Sequence, residues 1–357
     1  MTDAPDRFHL LRRLLDTPAP SGFELPAARV WREAAAGFAD EVRADAVGNS
    51  FATVNPGGRP PLMFAGHVDE IGVIVVHVDD RGFVWFDPVG GWDAQVFVGQ
   101  RVTLLGPAGA VPGVIGRKAI HLMEKEEREK VIRPHELWID IGAESQADAL
   151  ARVRVGDPGV LAASAHAFPN GRLVSRSLDN RVGAWVVLEA LRLLAADRPA
   201  AAVTAVATTQ EEIAYGAGGA RASATGLAPV AGIVVDVTHA VDTPGLEKKR
   251  HGEARLGGGP VITRGAVISP IVFERLVEAA KSEGIAYSVQ AAARDTSTDA
   301  DAIVYAAHGV ATGLVSVPLR YMHSPGEMVS LDDVDATARL LAAFARRVEP
   351  GEDFVAR

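Results

Sequence analysis

Cysteine is absent from this sequence of 357 residues. Its absence excludes disulfide bonds, thiolate metal sites and a cysteine nucleophile. Any metal site in the chain must therefore be built from histidine, aspartate and glutamate, which favour borderline and hard divalent ions.

The sequence also lacks an excess of positive charge and any long apolar run. A formal net charge of -9 argues against a nucleic-acid partner, because neutralising phosphates needs a basic surface. No stretch approaches the roughly 20 apolar residues of a membrane span, so no membrane partner is expected. The first 16 residues mix both signs of charge and lack the apolar core of a signal peptide. We expect a soluble, cytoplasmic protein.

The periodicity of apolar residues and the positions of glycine and proline predict two structural regions. Helical spacing of apolar residues predicts helices over 7–16 and 25–38, followed by strands over 41–46, 50–54 and 61–66. Between about 70 and 165, short β-branched runs alternate with Gly and Pro turns, which is typical of a small β-barrel or sandwich. The charged run at 124–130, EKEEREK, is interpreted as a solvated loop or helix face.

After residue 165 the pattern alternates between strands and helices. Strands are predicted over 202–208, 231–236 and 310–319, and helices over 180–196, 218–226, 271–283 and 331–347. Such alternation predicts an α/β domain with a largely parallel sheet. We expect a three-layer α/β/α catalytic domain with a mixed sheet, formed by 1–69 and 166–357. Residues 70–165 would form an inserted, barrel-like β domain.

Polar residues stand where the predicted strands meet loops or helices. Ligands bind beyond the carboxyl ends of the strands in open α/β sheets, so these junctions are candidate site positions. The residues at these junctions are His67, Asp179, the pair Glu211–Glu212, Asp236 and His323. Each alone has an ordinary explanation; an aspartate before a helix, for example, is most simply an N-cap. Their joint occurrence at five junctions favours a site.

Two histidines and three carboxylates suit a pair of divalent ions, with Zn²⁺, Co²⁺ or Mn²⁺ as candidates. A water molecule activated by two ions still needs a base, which must be a carboxylate outside the ligand set. The adjacent Glu211 and Glu212 would supply one ligand and one base. Asp69, two residues after His67, is placed to orient the ring of that histidine.

Several motifs carry a resemblance to a known family. They include SGFE at 21–24, DAVGN at 45–49, AGHVDEIG at 65–72, SLDNRVG at 177–183, TTQEEIAYGAGG at 208–219, DVTHAVDTPG at 236–245 and RYMHSPGEMV at 320–329. Over nearly its whole length the chain resembles metallopeptidase family forty-two, the tetrahedral and glutamyl aminopeptidases.

The resemblance implies a role for each candidate metal ligand. His67 and Asp236 would hold one ion, and Glu212 and His323 the other, with Asp179 bridging the two. Two divalent ions per subunit are expected, with zinc or cobalt favoured over manganese.

The resemblance also implies the reaction. Glu211 would be the general base, Asp69 would be the partner of His67, and the enzyme would remove N-terminal residues from short peptides with a free amine. The inserted domain, 70–165, would support homo-oligomer assembly, with dimers building a tetrahedral dodecamer.

Two stretches depart from the family pattern. Relatives tend to have Gly-Gly-Thr-Asp where this chain has RDTSTDADA at 294–302, with Ser297 at a glycine position. The stretch 121–130 is more highly charged than expected. These departures leave the preferred N-terminal residue open.

Two alternatives to an aminopeptidase are compatible with the sequence. One is a dimetal amidohydrolase that deacylates N-acyl small molecules. The other is a non-catalytic, metal-dependent assembly or peptide-binding protein, which the presence of the candidate base Glu211 disfavours.

Overall fold

The computed structural model describes residues 7–214 and 217–355. Within these residues the chain forms an 11-stranded mixed sheet and a closed barrel of six strands. The first elements are α1 (His9–Asp16), α2 (Leu25–Ala35), β1 (Glu41–Ala44), β2 (Ser50–Val54) and β3 (Pro61–His67). Both predicted helices and all three predicted strands of this region are present, and α2 ends three residues earlier than expected.

The chain then enters the barrel. Its elements are β4 (Gly72–Val78), β5 (Val84–Val89), β6 (Arg101–Gly106), β7 (Gly109–Gly116), α3 (Lys125–Arg128), β8 (Trp138–Asp140), α4 (Gln146–Leu150) and β9 (Pro158–Leu161). The strands close in the order β4-β5-β8-β7-β6-β9. They enclose a separate apolar core that includes Phe86, Phe97 and Leu104. The barrel predicted from the alternation of β-branched runs and turns is confirmed.

The remaining elements return to the large sheet. They are β10 (His166–Phe168), β11 (Arg172–Ser175), α5 (Leu178–Ala196), β12 (Ala202–Thr208), α6 (Glu211–Ala214), α7 (Gly218–Leu227), β13 (Ala231–His239), α8 (Lys248–His251), β14 (Val261–Gly265), α9 (Pro270–Ser282), β15 (Ser288–Ala292), α10 (Asp299–Ile303), β16 (Ala311–Arg320), β17 (Glu327–Ser330) and α11 (Leu331–Arg346). The short strands β10, β11, β14, β15 and β17 were not predicted. The strand predicted over 231–236 continues to His239, so Asp236 lies inside β13 instead of at its end.

Helices cover both faces of the large sheet. On one face α5 packs on β3, β12 and β13, and α11 packs against α5 and α9. On the other face lie α7 and α10, with Ile303 of α10 against the backbone of β13 at Gly232. The three-layer α/β/α arrangement expected from the sequence is therefore confirmed.

Four neighbouring strands at the centre of the large sheet are parallel. The strands β12, β3, β13 and β16 are neighbours, and each pair is parallel. Their carboxyl ends consequently lie along one edge, where an open α/β sheet binds its ligands.

A close approach between β3 and α5 brings two of these positions together. A Cβ added at Gly66 would lie 2.6 Å from the carbonyl carbon of Gly183. Any larger residue at position 66 would therefore collide with the backbone of α5. The start of α5, with Asp179, therefore lies beside the end of β3, with His67.

No helix in the described part of the chain combines the length and the apolar character needed to cross a bilayer.

Candidate metal centre

The residues predicted from the strand ends come together at the carboxyl edge of the sheet. Thr208, the last residue of β12, pairs with His67, the last residue of β3. Because Val234 of β13 pairs with Ala65 of β3, Asp236 is level with His67 two residues further along. Glu211 and Glu212 begin α6 directly beyond β12.

One group of ligand atoms surrounds the ring of His67. Its Nε2 atom lies 3.4 Å from Oδ1 of Asp179 and 3.9 Å from Oδ1 of Asp236. His67 is 1% exposed, and the two aspartates are also buried. One ligand atom from each of the three residues falls within a set no wider than 4.8 Å, which is compatible with a single ion between them.

A second group surrounds the ring of His323. Its Nε2 atom lies 3.4 Å from Oδ2 of Asp179 and 3.4 Å from Oε2 of Glu212. These three residues form another set within 4.8 Å. Asp179 belongs to both groups and directs one carboxylate oxygen to each. This is the arrangement that a bridging ligand between two ions requires.

Glu211 lies beside these two groups without belonging to either. Its Oε2 atom is 3.7 Å from Nε2 of His67, and its side chain is 16% exposed. It opens onto a cleft of about 530 Å³ that is also lined by Gly91, Ser297 and His323. The carboxylate of Glu211 can therefore reach both the first ligand group and a molecule in the cleft.

The site holds more negative charge than its histidines can balance. Burial raises the pKa of Glu211 to about 10, even against the attraction of His67, and Asp236 and Glu212 add to the rise through repulsion. Burial likewise raises the pKa of Glu212 and of Asp236. No lysine or arginine among the described residues lies within ion-pairing distance of these carboxylates.

The pKa values of both histidines are raised as well. Burial disfavours the charged ring of His323, but hydrogen bonds and attraction from Asp179 and Glu212 outweigh it and raise its pKa to about 11. The pKa of His67 is raised by the surrounding carboxylates against the same burial. Burial opposes ionisation of Asp179, yet the two histidines together hold its pKa below its usual value.

This donor set fits two divalent cations. The Oε1 atom of Glu212 is buried and has no hydrogen-bond partner, which is costly unless a cation neutralises the carboxylate. Imidazole nitrogen and carboxylate oxygen are suitable donors for zinc and for other borderline divalent ions.

Three buried side chains hold the turn that carries the two glutamates. The backbone N–H of Thr209 donates to Asn49 Oδ1 (3.1 Å), and that of Gln210 donates to Glu24 Oε1 (3.0 Å). The next two N–H groups, of Glu211 and Glu212, donate to the two carboxylate oxygens of Asp69 at 3.3 and 3.2 Å. Four consecutive amides are thereby fixed by side chains from three separate segments.

Asp69 consequently does more than the sequence suggested. Its Oδ1 atom lies 3.4 Å from Nδ1 of His67, near enough for an ion pair but without the angle of a good hydrogen bond. The same carboxylate positions the N–H groups of both glutamates. Asp69 therefore contacts all three of the neighbouring site residues, while its orienting role toward His67 stays a prediction.

Sequence reasoning missed two buried carboxylates next to the ligands. Glu327 is 2% exposed and accepts N–H groups from Asp179 and His323. Asp299, at the start of α10, accepts from the hydroxyl of Thr208, and burial raises its pKa to about 6. Glu327 lies within the quoted RYMHSPGEMV motif, but nothing in that stretch distinguishes it from a turn glutamate.

The stretch that departs from the family pattern lies at the cleft. Ser297 lines it with a backbone φ of +55°, a conformation that glycine adopts without strain. The N–H of Ser297 donates to Asp301 at 2.8 Å, which fixes the loop.

A mixed α/β sheet with two histidine–carboxylate groups at its carboxyl edge, sharing one aspartate beside an open cleft, defines a metal-dependent hydrolase. Comparison with known proteins makes the class specific. The M42 glutamyl aminopeptidase family matches residues 48–340, so the chain belongs to that family.

Individual relatives agree with this membership. The lysyl aminopeptidase of Pyrococcus furiosus is 33% identical over 346 residues, covering 96% of this chain and 98% of the relative. The TET aminopeptidase of Thaumarchaeota archaeon SCGC AB-539-E09 superposes with a TM-score of 0.90 at 30% identity, covering 96% of both chains. The TET1 peptidase of Pyrococcus horikoshii, which can assemble into a tetrahedron or a large octahedral shell, superposes with a TM-score of 0.84 at 29% identity, covering 96% of this chain and 99% of its own. The family resemblance stated from the motifs is confirmed, and the metal-dependent aminopeptidase is favoured over both alternatives.

Proposed function

We propose that this metal-dependent aminopeptidase works with two divalent ions held by the predicted ligand set. His67 and Asp236 would hold one ion, Glu212 and His323 the other, and Asp179 both. The observation that carries the proposal is the position of Asp179, whose two oxygens each lie 3.4 Å from a different histidine Nε2. A carboxylate with an ordinary structural role has no need of two imidazole partners on opposite sides.

Glu211 is the proposed general base. Among the residues that the structure describes, it is the one carboxylate that lines the cleft and lies near the first ligand group without belonging to either group. Held by these residues, two divalent ions would lower the pKa of a water molecule and would polarise the carbonyl of the scissile peptide. Glu211 takes the proton of the attacking water and delivers it to the nitrogen of the leaving amine.

The proposed substrates are short peptides with a free N-terminus. A cleft of about 530 Å³ lies beside Glu211, and the family and its relatives are aminopeptidases of different residue preference, glutamyl and lysyl. The metal ligands would therefore determine the type of reaction. Other residues of the cleft would determine which N-terminal residue of the peptide is preferred. For the ions, the mixed nitrogen and oxygen donors favour zinc or cobalt, with manganese as the third candidate.

We also propose that residues 70–165 form the assembly domain of a homo-oligomer, with dimers building a tetrahedral dodecamer. The related TET1 peptidase assembles into a tetrahedron or an octahedral shell. In this chain the segment after β7 exposes several large apolar side chains: Ile120 (60%), Leu122 (70%) and Val131 (73%). Burial of these side chains between subunits would remove apolar surface from water and so favour assembly.

The proposal is tested with one leucyl peptide, offered free and N-acetylated, to metal-stripped enzyme before and after addition of Zn²⁺ or Co²⁺. Cleavage of the free peptide alone, and only with metal, is the expected result. Preference for the acetylated peptide would favour the amidohydrolase, and the panel is repeated with lysyl and glutamyl peptides before inactivity is accepted.

The role of Glu211 is tested separately with Glu211→Gln. The amide keeps the shape of the side chain but cannot take a proton, so kcat should fall about 10²- to 10⁴-fold. Metal binding, measured by calorimetry, should stay near the wild-type value. Wild-type turnover in this variant would show that another group is the base.

A further inference from the structure

One buried carboxylate contacts the backbone of two proposed ligands at once. Glu327, the first residue of β17, is 2% exposed. Its Oε2 atom accepts the N–H of Asp179 at 3.0 Å, and its Oε1 atom accepts the N–H of His323 at 2.9 Å. Neither oxygen belongs to the two ligand groups.

Both amides need a partner outside regular secondary structure. Asp179 has φ -78° and ψ 106°, which interrupts the first turn of α5, and His323 has a left-handed φ of +58°. Neither conformation continues a helix or a strand ladder. A buried N–H without a partner is costly, so the side chain of Glu327 satisfies two groups that the backbone leaves open.

The position of Glu327 in the sheet explains why one residue reaches both. It pairs with Ser175 of β11, the strand that leads into α5. Its neighbour Met328 pairs with Arg320 of β16, the strand that leads to His323. The carboxylate therefore lies between the two segments that deliver Asp179 and His323.

We propose that Glu327 is a positioning residue that sets the separation of Asp179 and His323. This inference rests on the proposed two-metal function. Because His323 belongs to the second ligand group alone, loss of Glu327 disturbs both the histidine and the shared carboxylate of that group. The first group, His67 with Asp236, is affected only through Asp179. The affinity for one ion should consequently fall more than the affinity for the other.

The test is Glu327→Gln in the full-length protein, stripped of metal and titrated with Zn²⁺ by calorimetry. A glutamine offers one oxygen, and its amide NH₂ would face an N–H donor at the other position, so one of the two hydrogen bonds is lost. Changes to groups that support metal ligands typically cost 10- to 100-fold in metal affinity. We expect that loss for one ion and a smaller loss for the other.

A kinetic measurement separates positioning from a general structural effect. The metal concentration for half-maximal activity should rise by a similar 10- to 100-fold. At saturating metal, KM should stay within about threefold of wild type, because Glu327 does not line the cleft.

The chain offers a matched control in Asp333. This residue is 1% exposed, and its two oxygens accept the N–H groups of Gly257 (2.7 Å) and Gly259 (2.8 Å). It binds two backbone amides as Glu327 does, but none of its partners belongs to the metal centre. Asp333→Asn should lower the melting temperature and leave both metal affinities unchanged.

Wild-type affinity for both ions in Glu327→Gln, with a melting temperature lowered as in the control, would overturn the proposal and leave Glu327 a structural residue. If the glutamine variant does not fold, Glu327→Asp is titrated instead. The aspartate keeps the charge but is too short to reach both amides. Wild-type metal affinity in Glu327→Asp would therefore also contradict the proposal. Failure of the wild-type enzyme to bind two ions would instead refute the proposed function, before any variant is compared.

Discussion

Replacement of Asn49 by alanine should both destabilise the protein and slow catalysis. The side chain of Asn49 is fully buried. Its Oδ1 atom accepts the N–H and the hydroxyl of Thr209 at 3.1 and 3.2 Å. Its Nδ2 group donates to Asp45 at 2.8 Å and to the carbonyl of Gly219 at 2.9 Å. Asn49 thereby ties together both ends of the segment that contains Glu211.

The magnitude follows from the groups that lose their partner. Alanine leaves the buried N–H of Thr209 unsatisfied, at about 1–3 kcal/mol. The carbonyl of Gly219 loses one of two partners, because it still accepts a hydrogen bond within α7. We expect the free energy of unfolding to fall by about 2–3 kcal/mol. Catalysis should suffer as well, because Thr209 precedes Glu211 by two residues. A displacement of the base on the order of 1 Å can reduce kcat about 100-fold.

The assay is urea unfolding together with kcat at saturating peptide and metal. The control is Asn55→Gly, at the other end of β2, where the side chain donates to the carbonyl of Pro199 at 3.0 Å. Glycine tolerates the left-handed φ of +56° at that position, so the change removes the amide without straining the backbone. Asn55→Gly should lower stability and keep wild-type kcat.

Two outcomes for Asn49→Ala would contradict this reasoning. Wild-type kcat with reduced stability would mean that the turn keeps its geometry without Asn49. Unchanged stability would mean that water replaces the lost hydrogen bonds at a site without exposed surface.

Two further predictions concern buried charges outside the ligand groups. Glu70 is 1% exposed and pairs with Arg176 and with the fully buried Arg181, so Glu70→Gln should cost about 3–5 kcal/mol in chemical unfolding by leaving a buried guanidinium unbalanced. Burial raises the pKa of Asp333 from 3.8 to about 6, which means that the folded state binds a proton more tightly than the unfolded state. Its contribution to stability is therefore full below pH 3.8 and falls by about 3 kcal/mol as the pH rises through 6. The stability difference between wild type and Asp333→Asn, measured by urea unfolding at pH 4 and pH 7, should narrow at the higher pH, and a constant difference would refute the assignment.

The clustering of the candidate ligands could be predicted from the sequence because chemistry and topology agree there. Acidic residues and histidines near strand ends can be recognised in the sequence. Parallel strands bring their carboxyl ends to one edge of the sheet. His67 and Asp236 illustrate this: they are far apart in the chain, yet the pairing of β3 with β13 places them at one level.

The residues that position the candidate metal ligands could not be predicted in the same way. Asn49, Glu24 and Glu327 act by accepting backbone N–H groups, and every residue except proline carries such a group. A motif can show that these residues recur in a family, but their role depends on which amide lies opposite. Only the folded arrangement specifies that partner.

The glycines behind the two glutamates belong to the same class. A Cβ at Gly219 would lie 2.0 Å from Oδ1 of Asn49 and 2.7 Å from the nitrogen of Thr209. The sequence predicts a helix over 218–226 but does not indicate why its second residue is a glycine. The structure shows that the chain passes close to a buried amide at this position.

Short strands were missed for a different reason. The strands β14 and β15, with five residues each, pair with each other, and β14 is joined to the rest of the sheet through two residues of β16. In β15 the side chains alternate between half-buried and exposed, so the apolar signal is weak. Strand formation at such an edge is decided by the neighbouring strand more than by local preference.

The barrel also contacts the candidate metal centre through its backbone, and no sequence pattern indicates this contact. The carbonyl oxygen of Gly91, just after β5, lies 2.6 Å from Nδ1 of His323. A carbonyl can only accept a hydrogen bond, so Nδ1 carries the proton and Nε2 faces Asp179 and Glu212 with the atom that a metal would bind.

The segment around Gly91 is itself anchored to the barrel, because the indole of Trp92 donates to the carbonyl of Gly72 in β4 at 2.9 Å. A shift of the barrel relative to the sheet would move the hydrogen-bond acceptor of His323 while leaving the contacts of His67 with Asp236 in place. The two ligand groups therefore differ in what supports them. The first depends on neighbouring strands of one sheet, and the second depends on Glu327 from that sheet and on a carbonyl from the inserted barrel.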